Sequence, residues 1–297
     1  MSQVATMERV RQPAVGAPIA LGPATLTKGR GILLRTAGRK RGPITRLMSP
    51  SDVGELLKPF VFLDHAEVPY TGPAFAGIHP HSGIATLTTV LQGGLAYEDT
   101  TGKQGQVPTG GLEWMKAGAG VWHDGGALPG EPLRVFQLWV ALPPADENSP
   151  PESQYISPHD VQQDGPVRVI LGRYGSARSV IRAPDGMDYF HVQLKDGERW
   201  SYTPPPGYGV AWLAVDTGRL HASQMVGPGQ LAVFEQGEQT VEVRAEGPTS
   251  FVFGAAVKHP HPLVLGYYSV HTSREALARG ETEIDRIGER LRAEGRG

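Results

Sequence analysis

The sequence predicts an all-β chain of two tandem barrels closed by one α-helix, and three observations predict it. Short apolar or alternating runs recur about every ten residues between turn signals, the spacing of antiparallel barrels and sandwiches. The second half repeats the order of the first. The C-terminal stretch alone carries a helical period.

Residues 1–20 are polar and aperiodic and read as a flexible arm, drawn here to residue 25. The runs GILLRTA, FVFLDH, ATLTTVLQG, GLAYEDT, LEWMKAG and RVFQLWVAL then build a first barrel over 26–145. With 39 glycines and 26 prolines spread without a repeat, the chain has the punctuation that short strands and tight turns need. PPADENSPPESQ breaks the rhythm at 143–154, and a second set of runs from VRVILGRYG to TSFVFGAAV gives a second barrel over 146–262. TTVLQGGL, PTGGLEWM and RVFQLWVAL have weaker counterparts in LAVDTGRL, GPGQLAVF and SFVFGAAV, so one duplicated barrel unit explains both halves. Residues 263–297 are a linker and helix. Ser273 is the N-cap candidate, and Leu277, Ile284, Ile287 and Leu291 form one apolar stripe that must lie on the body of the protein.

Composition excludes several classes of function. A net charge of −2 gives no general attraction to nucleic acid or to a membrane surface. The basic residues Arg39, Lys40 and Arg41 sit beside glycines at what reads as a solvated hairpin tip. The absence of cysteine removes disulfides and thiolate ligands, so any metal must be held by histidine, carboxylate or water. No signal-like start and no run of eighteen apolar residues occur, and a soluble, cytoplasmic protein is expected.

The chemistry concentrates in GIHPHSG, residues 77–83. On a strand, side chains two apart share a face, so His79 and His81 can converge on one ion. His123, in PTGGLEWMKAGAGVWHDGG, supplies a third imidazole, and Fe(II), Ni, Cu or Zn accept such a set. The alternative for all three is a structural histidine hydrogen-bonded in the core. A second His-Pro-His in VKHPHPL, residues 257–263, follows the last strand run, and its prolines make it an extended link.

FVFLDH, GIHPHSG with TLTTV, YEDT and GGLEWMKAGAGVWHDGG resemble the pirin family of the cupin superfamily. The match is strongest over residues 60–142 and continues weakly to YYSVHTSREAL. The resemblance implies a bicupin, two double-stranded β-helix (jelly-roll) barrels. It implies one divalent metal in the N-terminal barrel, usually iron, with Ni, Cu, Mn or Zn as alternatives. It assigns the three imidazole roles to His79, His81 and His123. The family's fourth ligand is a glutamate two residues after the third histidine, where this chain has Gly125. Ala85 stands where ordinary cupins carry a carboxylate.

Substitutes for the missing carboxylate are few. Asp124 reaches the ion only if Gly125 and Gly126 form a bulge, Glu98 lies where a strand enters a turn, and His65 is a second-shell candidate. Trp114, Trp122 and Met115 either line the barrel mouth for an aromatic substrate or fill the core. In the second barrel the duplication places Pro204 and Pro206 at the positions of the histidine pair, so that unit is expected to be metal-free.

The family resemblance implies one of two functions. One is a metal-dependent dioxygenase of quercetin 2,3-dioxygenase type, acting on a small enolisable or flavonol-like aromatic that binds as an anion. The other is a non-enzymatic, redox- or metal-sensing regulator that binds a protein partner.

Overall fold

The computed structural model describes residues 29–69 and 77–296, so the arm expected over residues 1–25 lies outside the described residues. The first half of the chain forms β1 (Ile32–Thr36), β2 (Arg39–Arg41), β3 (Ile44–Met48), α1 (Val53–Leu57) and β4 (Phe60–Val68). After these come β5 (His79–His81), β6 (Ile84–Gln92), β7 (Gly94–Asp99), β8 (Gln104–Pro108) and β9 (Leu112–Lys116). The set closes with β10 (Val121–Ala127), β11 (Leu133–Ala141) and β12 (Glu152–Ile156). A seven-stranded sheet in the order β12-β9-β6-β11-β4-β3-β2 faces a four-stranded sheet in the order β5-β10-β7-β8. The second half contributes a larger sheet around Val210–His221, Val241–Ala256, Met187–Leu194 and Val167–Leu171. Strand-rich barrels with a C-terminal helix are thus the architecture that the sequence predicts.

Both faces of the seven-stranded sheet are covered, and alternation decides what each residue meets. Leu63, Ala85, Leu87, Leu112, Trp114, Phe136, Leu138 and Val140 share one buried core with Trp212, Ala214, Leu231, Val233 and Val252 of the second half. This is the contact between the two barrels. The intervening residues Phe62, Asp64, Thr88, Glu113, Val135, Gln137 and Trp139 line a cavity on the other face, inside the first barrel. The second barrel's interior holds Phe190, Trp200, Tyr202, Phe251 and Phe253, an aromatic packing that fills it.

Two edge strands cross the division at 145/146 drawn from the sequence. β1 pairs with Leu231–Phe234 of the second half, and β12 pairs with β9 of the first. Local hydrophobic pattern shows that a strand exists and says nothing of which edge it joins, so the exchange leaves no mark in the sequence.

The terminal helix, α2, runs Arg274–Ala293 with Ser273 as N-cap, its hydroxyl accepting the Ala276 amide. Ile284, Ile287 and Leu291 are buried, together with Ala276, while Leu277 lies at the edge of the stripe, half-buried against Gly266. The helix seats on β10, where the Trp122 indole N–H donates to the Ile284 carbonyl at 2.8 Å. No helix among the described residues is long and apolar enough to cross a membrane.

A polar cluster interrupts the contact between the barrels. His65 Nε2 and Arg134 Nε reach Asp216 Oδ1 at 3.2 and 3.1 Å, and nearby His191 hydrogen-bonds to the Ser250 hydroxyl at 3.0 Å. Burial, reinforced by Arg168, lowers the His191 pKa from 6.5 to about 4, against the opposing charge of Asp216. The unfolded chain therefore takes up this proton on acidification before the folded chain does, and stability falls between those two values as pH drops. Urea unfolding at pH 7.5 and pH 5 should show a loss to which His191 contributes about 2 kcal/mol. His191→Asn should remove that part of the slope, and an unchanged slope would contradict the assignment.

Candidate metal centre

β5 is three residues long, and its register places the three histidines together. His79 lies directly opposite His123 of β10, and His81 opposite Val121. The candidate ligand atoms of His79, His81 and His123 all lie within 4.8 Å of one another, and the Nε2 atoms of His79 and His123 are 3.1 Å apart. Nitrogens bound at cis positions to one ion are separated by about 3.0–3.4 Å. A small contraction thus completes the set.

Hydrogen bonding on the far side of two rings fixes which nitrogen is offered. His79 Nδ1–H donates to the Gly77 carbonyl at 2.7 Å, and His81 Nδ1–H donates to the Tyr268 carbonyl at 2.9 Å. Each Nε2 then carries a lone pair. That of His81 is buried without a hydrogen-bond partner, an arrangement that costs stability unless something accepts the lone pair. Burial lowers the pKa of His79, of His81 to about 3, and of His123 well below its ordinary value, so all three imidazoles are neutral at pH 7. Neutral, convergent imidazoles in a buried site fit a borderline divalent metal.

The cavity above them has a volume of about 170 Å³ and is walled by Phe62, Trp139, Leu95 and Tyr268. Phe62 and Trp139 stack at 4.0 Å, and Arg46 lies over the Phe62 ring at 4.2 Å while pairing through two 2.9 Å bonds with Asp64. Arg46, Phe62, Trp139 and Tyr268 line both this cavity and an outer one of about 820 Å³ that is also lined by Arg39 and Arg41. A cavity of about 150 Å³ holds one benzene-sized ring. The inner chamber therefore takes a single ring, and the rest of a larger molecule must lie in the vestibule.

Other residues singled out from the sequence stand elsewhere. His65 alternates away from the cavity and is tied to Asp216. Glu98 pairs with Arg296 at 3.5 Å on the surface. Asp124 lines the cavity wall, but its Oδ1 accepts the Gly125 amide at 2.8 Å. Trp114 is not a wall residue: it is fully buried between the barrels because its neighbour Glu113 takes the inward position on β9. Met115 is buried with Ala117 and Val121, and Trp122 packs under α2, so neither lines the cavity.

Sequence reasoning passed over Glu113, Phe62, Trp139, Arg46 and Tyr268. A carboxylate inside the otherwise apolar run LEWM was a readable sign, since such a group is buried only with a purpose. Glu113 Oε2 accepts the Thr88 hydroxyl at 2.8 Å, its Oε1 faces His123 Nδ1 at 3.9 Å, and burial raises its pKa to about 7.

Tyr268 comes from the far end of the chain and is held by a buried clamp. Ser82 Oγ donates to Ser269 Oγ at 2.9 Å and lies 3.0 Å from His271 Nε2, while His271 Nδ1 sits 3.2 Å from Glu147. Serine, histidine and glutamate in this order match a hydrolytic triad, but Ser82 is fully buried and its hydroxyl is taken up by Ser269, so the arrangement fastens rather than reacts. Gly83, at φ +73°, and Gly280 make room for it, because a Cβ at Gly83 would lie 2.1 Å from the Val270 carbonyl.

Comparison with known proteins establishes the family of the chain. Residues 42–140 match the family model described as Pirin. A pirin-like protein of Caulobacter vibrioides is 30% identical over 214 residues, covering 68% of this chain and 76% of that protein. The chain belongs to the pirin family. A Pseudomonas aeruginosa protein provisionally named a quercetin 2,3-dioxygenase is 29% identical over 251 residues, 79% of this chain and 87% of its own. Among solved structures, a quercetin 2,3-dioxygenase from Acinetobacter baumannii shares the fold at a TM-score of 0.79, with 24% identity over 87% of this chain and 97% of its own. An Escherichia coli pirin in complex with nickel(II) shares it at 0.60, with 19% identity over 77% of this chain and 98% of its own.

Glu147 also accepts the Thr272 amide and hydroxyl, both at 2.7 Å. Glu147→Ala should strand these donors at a cost of about 2–4 kcal/mol. Hydrogen exchange over residues 264–272 should accelerate, and unchanged protection there would show that the clamp does not hold the segment.

Proposed function

We propose that this pirin is a metal-dependent dioxygenase acting on a small, enolisable or flavonol-like aromatic, with His79, His81 and His123 as the metal ligands. The observation that carries this reading is the convergence of three neutral imidazoles, two of which, His79 and His123, line a one-ring cavity that shares a wall with a larger vestibule. The names of the pirin relatives support it, and iron is the first expectation for the metal. When bound, such an ion supplies Lewis acidity toward a phenolate or enolate oxygen and, if redox-active, exchanges electrons with dioxygen.

The chain's own residues do the remaining work. The stacked Phe62 and Trp139 rings form an apolar wall against which an aromatic ring can pack, and they exclude water from the chamber. Arg46 keeps a positive charge at the neck, oriented by Asp64, and Arg39 and Arg41 add positive charge outside it. An anionic substrate is favoured by this wall. The hairpin tip read from the sequence as merely solvated thus also borders the vestibule.

The regulatory reading draws on a different observation. The His81–Tyr268 hydrogen bond connects the candidate ligands to an exposed hairpin at Tyr267, through which a change of metal state could alter a surface for a protein partner.

Protein stripped of metal and reloaded with iron, nickel, copper, manganese or zinc is incubated with quercetin while flavonol absorbance is followed. At least one metal should support turnover, and none doing so, with a stoichiometric protein partner recovered in its place, would sink the enzyme reading. Metal content should collapse in the His79→Ala/His123→Ala variant. With a turned-over acidic flavonol, Arg39→Gln and Arg41→Gln should each raise KM by up to about fivefold at low salt and leave kcat unchanged.

A further inference from the structure

The three imidazoles differ in what stands behind them. His79 and His81 donate from Nδ1 to the neutral carbonyls of Gly77 and Tyr268. Behind Nδ1 of His123 stands a carboxylate, Glu113, whose oxygen lies 3.9 Å away. Four other carboxylates of the first barrel are engaged: Asp64 with Arg46, Asp124 with the Gly125 amide, Glu98 with Arg296 and Asp99 with Ser153 and Tyr155.

We infer that Glu113 is the positioning residue of the metal centre. It accepts the Nδ1–H of His123 and supplies, across the imidazole ring from Nε2, the negative charge that the ligand set itself lacks. The inference rests on the metal reading above. Three neutral ligands leave a divalent ion uncompensated inside a buried site, where an unbalanced charge is costly. Glu113 is fixed for the task at its other oxygen by Thr88, directly across the strand pair. A movement of about 1 Å closes the contact to a charge-assisted hydrogen bond. It also selects the His123 tautomer that offers Nε2, the atom already facing His79. Carboxylates placed this way raise the basicity of the histidine and strengthen its hold on a metal.

The test is equilibrium metal affinity. Metal-free protein is titrated with zinc against a competing chelator, comparing wild type with Glu113→Gln, which keeps the side chain's shape and an acceptor for Thr88. The variant should bind zinc about 10- to 100-fold more weakly, while its melting temperature without metal is not lowered. Equal affinity in the two proteins overturns the inference and leaves the three-histidine site standing. Failure of the wild type to bind any metal removes both. Should the variant not fold, the zinc-loaded wild type decides by itself. The Nδ1–H resonance of His123 should lie downfield of those of His79 and His81 and exchange slowly, because its acceptor alone is charged. A His123 resonance no different from the other two would overturn the assignment.

Discussion

Everything in the first barrel depends on a sheet with no solvent face. Once the central strands of the seven-stranded sheet are covered on one side by the second barrel and on the other by β5 and β10, each of them must divide its residues between two interiors. β9 makes the consequence plain: Leu112 and Trp114 go to the shared core, so Glu113 has nowhere to go but the cavity. The same division sends His65 toward Asp216 and Asp64 toward Arg46. A shift of one residue in any of these strands would exchange the chemistry of the site for the packing between barrels.

Charge is handled in the site by separation rather than by solvent. The imidazoles are kept neutral by burial, Arg46 is balanced by Asp64, and the exposed cations Arg39 and Arg41 stand beyond the neck. The chamber therefore presents neutral lone pairs and aromatic faces at its inner end and positive charge at its entrance. On the proposed reading, an anionic ring would be drawn in along that gradient toward the histidines.

The sequence disclosed most about features that are local. Glycine and proline spacing announced short strands, the heptad-like spacing in the tail announced α2 and its cap at Ser273, and His-x-His with a third histidine announced the cluster. What stayed hidden depends on partners distant in the chain. Trp114 and Trp139 look alike in sequence, yet one fills the shared core and the other walls the cavity, because each strand's register relative to the second barrel sets which parity faces inward. Tyr268, 187 residues from His81, could not be placed at the site by any local pattern. The exchange of β1 and β12 is hidden for the same reason.

The position of Tyr268 has a bearing on how the protein is made. All three histidines are synthesised within the first half of the chain, but the carbonyl that orients His81 arrives only after the second barrel, just ahead of the final helix. A nascent chain that has not yet reached Tyr268 lacks the acceptor of the His81 Nδ1–H. The orientation of His81 is thus set by a segment that follows both barrels in the order of synthesis.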